Sequence, residues 1–262
     1  MTIIESAVNW AKEVGELQQK YFSKEFNVKS KSSQFDLVSE VDEKSEKIIR
    51  SRINKAYPEH SILAEEGGSD NKESDYQWIV DPLDGTTNYI HSFPIFGVSL
   101  ALAYQGEVII GVAHFPLLKE TYTAEKGEGA YVNDKAIKVA EENSISRAVV
   151  ATGFPYDRKK SKNNNLDYFN SIFYQVGGIR RTGSAVYDLC AVARGIFDGF
   201  WEIKLNPWDT AAGGLIVKEA GGEFIDFTGN ELEVKSEEII AGNQYISSEL
   251  QKIIKEVKKN GN

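Results

Sequence analysis

Trp78-Ile79-Val80-Asp81-Pro82-Leu83-Asp84-Gly85-Thr86-Thr87-Asn88-Tyr89 is the stretch on which the reading of this chain turns. Its first three residues are apolar and read as the end of a buried strand, and two carboxylates follow at once. Pro82 fixes the backbone between them, and Gly85 allows a close backbone approach. Thr86-Thr87 can open a helix whose first N–H groups lack partners within it, and such a terminus holds phosphate. Two acids beside a phosphate cradle repel the substrate unless a cation lies between them. Magnesium fits, because it is a hard ion that takes carboxylate and phosphate oxygens. A capped turn with solvated side chains would explain a bare Asp-x-x-Asp better. It does not explain the whole string, set between a buried strand and a Gly-Thr-Thr helix start.

Three further acidic groups stand out along the chain. Glu65-Glu66 ends the apolar run 61–64, and alone it reads better as an exposed acidic turn. Asp209 falls in the first turn of a helix opened by Pro207 and closed by Gly221-Gly222, where matching the helix dipole accounts for it. The small residues Ala211, Ala212, Gly213 and Gly214 let that helix pack closely against a neighbour. In the segment from Asp36 to Asp42, Ser39 reads as a helix N-cap with Asp42 at N3, a role compatible with catalysis. Other candidates fail. Cys190 faces Val186 and Arg194 on a helix and reads as core. His60, His91 and His114 share no metal-ligand spacing, and Gly127-x-Gly129 lacks the rest of a dinucleotide site. Arg180-Arg181 reads as a solvated pair, or else as a phosphate or interface contact.

Periodicity predicts helices over 3–23, 40–56, 184–194, 207–220 and 248–258, and one after the polar loop 158–165. Strands are expected at 61–64, 77–80, 96–104, 107–115, 120–125, 130–132, 135–139, 148–152, 196–203 and 239–241, with a short one ending near Thr182. The change from a β-rich middle to alternation near residue 145 suggests two subdomains, 1–145 and 146–262. With 41% hydrophobic and 26% charged residues, the composition is that of a globular chain. A net charge of −9, from 39 acids and 30 bases, argues against nucleic-acid binding by bulk electrostatics. One cysteine, no signal-peptide pattern and no span of about 20 apolar residues make a cytoplasmic location the default, with no membrane partner.

Together these groups resemble the inositol monophosphatase family. Trp78 to His91 is similar to its first signature, Asp-Pro-Leu-Asp-Gly-Thr with a Tyr three residues on. Trp208 to Gly222 is similar to its second, Trp-Asp-x-Ala followed by small and apolar residues and a closing Gly-Gly. The order Asp42, Glu65, Asp81, Asp84, Asp209 also fits, over nearly the whole chain. Ala64 stands where the family often has Gly before the acidic pair.

The resemblance implies an α/β fold, a layered α-β-α-β-α sandwich of the sugar-phosphatase type, with two to three Mg2+ ions. Glu65, Asp81 and the Leu83 carbonyl would hold one ion. Asp81, Asp84 and Asp209 would hold a second, and a third would sit near Glu65. The N-terminal subdomain would thus carry most metal ligands, and the C-terminal one Asp209 and the substrate pocket. Asp42 and Thr86, together with Glu65, would serve the attacking water. Gly85 and Thr86 N–H groups would hold phosphate, and Gly183, Ser184, Ala185 and Glu202 would face the substrate alongside Asp84 and Asp209. It also implies lithium sensitivity and a homodimer.

The expected reaction is hydrolysis of a small polyol monophosphate, inositol 1-phosphate first. Fructose 1,6-bisphosphate, histidinol phosphate and nucleotide 3′-phosphates are alternatives, and a regulatory protein that senses metal or sugar phosphate is the non-enzyme alternative. Metal loading also resolves the charge puzzle, since the acidic chain would attract an anion only after taking up cations.

Overall fold

Apolar residues at helical spacing put Ala7, Trp10, Ala11 and Val14 on one buried face of helix α1 (Ile3–Tyr21), whose start is closed by a capping box between Thr2 and Glu5. The structure is a computed structural model that describes residues 1–22, 24, 27–30, 37–231 and 237–260; Ser23 and Asp36 of the expected elements lie outside them. Strand β1 (Val28–Ser30) pairs antiparallel with β2 (Leu37–Ser39), which runs straight into α2 (Glu40–Ala56).

The chain then builds an eight-stranded sheet from β3 (Ser61–Ala64), β4 (Gly68–Ser69), β5 (Tyr76–Asp84), β6 (Gly97–Tyr104), β7 (Glu107–Phe115), β8 (Glu120–Glu125), β9 (Ala130–Val132) and β10 (Lys135–Ala136). Their spatial order is β10-β9-β8-β7-β6-β5-β3-β4, and only β3 and β5 run parallel. A short helix, α3 (Thr86–Ile90), joins β5 to β6. The rest alternates: β11 (Val149–Thr152), α4 (Leu166–Phe173), β12 (Gly178–Arg180), α5 (Ala185–Ala193), β13 (Gly199–Ile203), α6 (Pro207–Glu219), β14 (Glu223–Ile225), β15 (Glu238–Gly242) and α7 (Gln244–Asn260). Its strands form a second sheet in the order β12-β11-β13-β15-β14.

The two sheets and their helices stack in the expected α-β-α-β-α order. Trp10, Val14, Ile49 and Ile53 of α1 and α2 pack on Trp78, Val80 and Leu100. Leu189, Val192, Leu215 and Ile216 of α5 and α6 fill the space between the sheets, touching Ala113 and Phe115 on one side and Phe200 and Ala241 on the other. Ile172, Ile246 and Leu250 of α4 and α7 cover Trp201 and Ile240.

Several boundaries differ from the sequence reading, each for a local reason. The strand expected over 77–80 continues through both aspartates to Asp84. The strand expected from residue 196 starts at Gly199, because the Ile196 and Phe197 N–H groups close the end of α5 on the Ala191 carbonyl. The strand expected over 135–139 stops at Ala136, and the Val139 N–H instead meets the Ala220 carbonyl beyond α6. Helix α7 begins at Gln244, since Asn243 Oδ1 accepts the Ile246 N–H and caps it earlier than residue 248. Strands β1, β2, β4 and β14, of two or three residues each, add to the expected set.

The run of small residues in α6 does pack closely, as expected. A Cβ built on Gly111 of β7 would lie 2.8 Å from the Ala212 carbonyl oxygen of α6. Gly111→Ala is therefore expected to destabilise the fold by about 1–3 kcal/mol, read as a lower denaturant midpoint at unchanged slope. An unchanged midpoint would show that α6 does not approach β7 this closely.

Candidate active site

On a regular strand, residues three apart point to opposite faces of the sheet. Along β5, Trp78 and Val80 face α1 and α2, and Ile79 faces Ala211 and Ala212 of α6. Asp81 continues the α6 face, and by strict alternation Asp84 would turn away from it. The pairing with β6 prevents this. Asp81 is opposite Ser99 and Asp84 is opposite Gly97, so Pro82 and Leu83 together face one residue. This bulge restores the parity and brings both carboxylates to one side. Pro82 sits where a strand tolerates proline, with no ladder N–H to give up.

Each acid is then tied to a local donor. The Leu83 N–H donates to Asp81 Oδ1 at 2.9 Å. Asp84 accepts the Ser184 hydroxyl and the Ala185 and Val186 N–H groups, so the start of α5 holds it. Asp209 is N3 of the α6 capping box and accepts the Asn206 N–H at 2.7 Å. Asp42 is N3 of the α2 capping box, with Ser39 as N-cap, as the sequence predicts. Its other oxygen, Oδ1, is 2.9 Å from Thr86 Oγ1, which also lies 3.1 Å from the Leu83 carbonyl.

One pocket joins these parts. Glu65, Asp81, Leu83, Asp84, Gly85, Thr86, Gly183, Ser184, Ala185, Glu202 and Asp209 all line it, so the structure brings together every expected site residue but one. That one, Asp42, is fully buried behind Thr86 and reaches the pocket only through that hydroxyl. Gly85 has φ +84°, and a Cβ there would lie 2.9 Å from the Ile95 carbonyl, so glycine is required at this turn. The Glu202 carboxylate packs directly on Gly153, so a Cβ there would force that side chain to move.

The sequence reading missed part of the wall. Buried Asp188 on α5 takes the Thr182 hydroxyl at 2.7 Å and lines the pocket, and so do Arg181 and Lys204. Arg181 is exposed, but its charge acts on Asp188 and Glu202, so it is more than a solvated pair with Arg180. Lys204 holds the 157–161 segment through Asp157 at 2.6 Å and Ser161 at 2.9 Å. No motif marks Asp188 or Lys204 in the sequence; only the meeting of β13 with the start of α5 does, whereas the phosphate-contact alternative for Arg180-Arg181 points toward Arg181.

The electrostatics are adverse for the protein alone. Burial, with the neighbouring acids adding to it, pushes Asp81 well above the usual carboxylate range. Burial lifts Asp42 to about 6, Asp84 to about 7 and Asp209 to about 8, and the charge of Glu65 adds to each. Among the described residues, no basic side chain figures among the main influences on Asp81, Asp84 or Asp209. A hard cation suits such an oxygen donor set. Among the described residues no three acids form a finished cage. Asp42, Asp81, Asp84 and Asp209 each turn instead to a local N–H or O–H donor.

The profile of the inositol monophosphatase family matches residues 1–262. A fructose-1,6-bisphosphatase/inositol-1-monophosphatase of Aquifex aeolicus is 44% identical over 221 residues, covering 84% of this chain and 82% of its own. The Nus factor SuhB of Pseudomonas aeruginosa is 44% identical over 213 residues, 79% of either chain. The solved IMPase of Thermotoga maritima superposes with a TM-score of 0.91 at 36% identity, covering 100% of both chains. A solved IMPase/NADP phosphatase in complex with Mg2+ and phosphate gives a TM-score of 0.84 at 25% identity, over 94% of this chain and 92% of that one.

The raised carboxyls set a pH dependence. The folded protein takes up protons on Asp42, Asp84 and Asp209 as pH falls through about 8 to 6, while the unfolded chain does so only near 3.8. Between these limits the folded state binds more protons, so stability drops as pH rises. The metal-free protein is expected to melt at a lower temperature at about pH 8 than at about pH 5.5, with Asp209→Asn reducing the difference. Thermal scans across that range check it, and a flat profile, or one rising toward pH 8, would contradict it.

Proposed function

The chain belongs to the inositol monophosphatase family and is a phosphoric monoester hydrolase, and from that premise we propose that it hydrolyses a small polyol monophosphate, inositol 1-phosphate first, with magnesium as cofactor. The observation that carries the reading is one pocket lined by Glu65, Asp81, Asp84 and Asp209 and opening onto Gly85 and Thr86. Acids buried this close together are unfavourable as anions unless positive charge joins them. In this reading Glu65, Asp81 and the Leu83 carbonyl would hold one ion, Asp81, Asp84 and Asp209 would hold a second, and a third would sit near Glu65. The Mg2+ and phosphate complex of the 25%-identical IMPase/NADP phosphatase supports the choice of ion. When bound, magnesium supplies Lewis acidity, which lowers the pKa of water and draws charge from phosphoryl and leaving oxygens.

The protein's own groups do the rest. The Thr86 hydroxyl lies between two acceptors, Asp42 Oδ1 and the Leu83 carbonyl, so its proton is committed inward. Its free lone pair then accepts from the attacking water and orients it. Asp42, at about 6, is basic enough near neutral pH to draw that proton through Thr86. Backbone N–H groups at Gly85 and Thr86 receive the phosphate. Ser184 keeps Asp84 in place, and Gly183 to Ala185 form the side of the pocket toward the substrate. Glu202, seated against Gly153, accepts from the polyol hydroxyls. Lithium sensitivity, a homodimer and a cytoplasmic location belong to the same reading. Among the described residues no helix is long and apolar enough to cross a membrane.

Arg181 and Lys204 favour a second reading, since two cations in the pocket wall suit a substrate with a second phosphate, such as fructose 1,6-bisphosphate. The name of the Aquifex relative spans both substrates. Phosphate release from inositol, fructose, histidinol and nucleotide phosphates, with magnesium and with or without lithium, separates the readings. Asp84→Asn is expected to lower turnover by at least ~10^3-fold with the fold intact, because ligands of one site act as a unit. Near-normal turnover in that variant would sink the metal-site assignment.

A further inference from the structure

Glu46 lies one helical turn beyond Asp42 on α2, is 5% exposed, and does not line the pocket. Its carboxylate reaches the turn that follows β3. It accepts the Glu66 N–H at 2.8 Å and the Gly67 N–H at 2.9 Å, and on the other side Arg50 Nε at 2.6 Å. Arg50 continues to the Gly68 carbonyl through its Nη2. The i,i+4 pair Glu46 and Arg50 therefore grips the 65–68 turn by its donors and by its acceptor. The turn is shaped to receive it: a Cβ at Gly67 would fall 2.5 Å from Glu46 Oε1. On the opposite side the Glu65 N–H is bound to the Val80 carbonyl of β5 at 3.1 Å.

A buried carboxylate is costly to desolvate, and this one spends its bonds on the backbone beside Glu65. The same helix, about 6 Å further back at 1.5 Å per residue, presents Asp42 to Thr86. One rigid element thus holds the backbone beside Glu65, which lines the pocket, and presents Asp42 to Thr86 from behind it. We propose that Glu46, with Arg50, is a positioning residue that holds Glu65 in register with the Asp42–Thr86 pair. The inference rests on the reading in which Glu65 holds a metal ion. Partners that orient a ligand in this way are commonly worth about 10–100-fold in metal affinity.

The test uses the full chain, stripped of metal, with Mn2+ as the probe ion and the free ion read by electron paramagnetic resonance. Glu46→Gln keeps the size of the side chain but removes the charge and one acceptor. It is expected to weaken Mn2+ binding by about 10–100-fold with helical circular dichroism unchanged, and excess Mn2+ should restore turnover to within a few-fold of the parent. Glu65→Gln should weaken binding without such rescue. Parent-like Mn2+ affinity in Glu46→Gln, with only a lower melting temperature, would reduce Glu46 to a structural role and overturn the proposal. Parent-like affinity in Glu65→Gln would instead remove Glu65 as a ligand, and the proposal with it. If Glu46→Gln does not fold, Arg50→Gln, at a partly exposed position, is read in the same way: weaker binding supports the clamp and unchanged binding overturns it.

Discussion

The bulge at Pro82 and Leu83 is the constraint on which the site depends. Alternation along a strand would send Asp81 toward α6 and Asp84 into the apolar layer beneath α1 and α2. There a carboxylate would meet Trp78, Val80 and Leu100 and find nothing to pair with. One extra residue against β6 turns it back. The middle layer of helices can then deliver Asp209 and Ser184 to the same pocket, and α2 can deliver Asp42 from behind. The five-layer stack supplies elements on both sides of β5, and the bulge decides that its acids face the useful side.

Helix starts hold the negative charge in place. Asp42 closes the capping box of α2, Asp209 closes that of α6, and Asp84 receives the first N–H groups of α5. Each helix directs its positive end toward an acid. These bonds fix the carboxylates without neutralising them, because burial and mutual repulsion still raise their proton affinity. Local conflict of this kind is expected where a site is built to hold a cation and an anionic substrate, and the packed layers on either side over-determine it. Family membership and the hydrolase chemistry agree with such a centre.

The acidic string 81–84, the Gly-Thr-Thr exit and the Pro-Trp-Asp start of α6 were legible because each is a local pattern with a local cause. Asp42 was legible for the same reason, since a capping box spans only four residues. The pocket wall was not. Asp188 looks like an ordinary helix residue until the start of α5 meets β13, and Glu46 looks like a solvated acid until α2 meets the 65–68 turn. Of the acidic pair 65–66, Glu65 lines the pocket, while the Glu66 N–H is taken by Glu46.

By itself, then, the sequence determined the alternation of helices and strands, the layers they build, the family and the main acids. The elements follow from short-range periodicity, the acids from motifs contiguous in the chain, and the layers from the family resemblance that those motifs carry. Tertiary structure alone decided the strand boundaries, the same-side placement of Asp81 and Asp84, the recessed position of Asp42 and the composition of the far wall. These depend on which backbone donor or acceptor lies opposite across a sheet or a layer, and a residue's sequence neighbours carry no record of that.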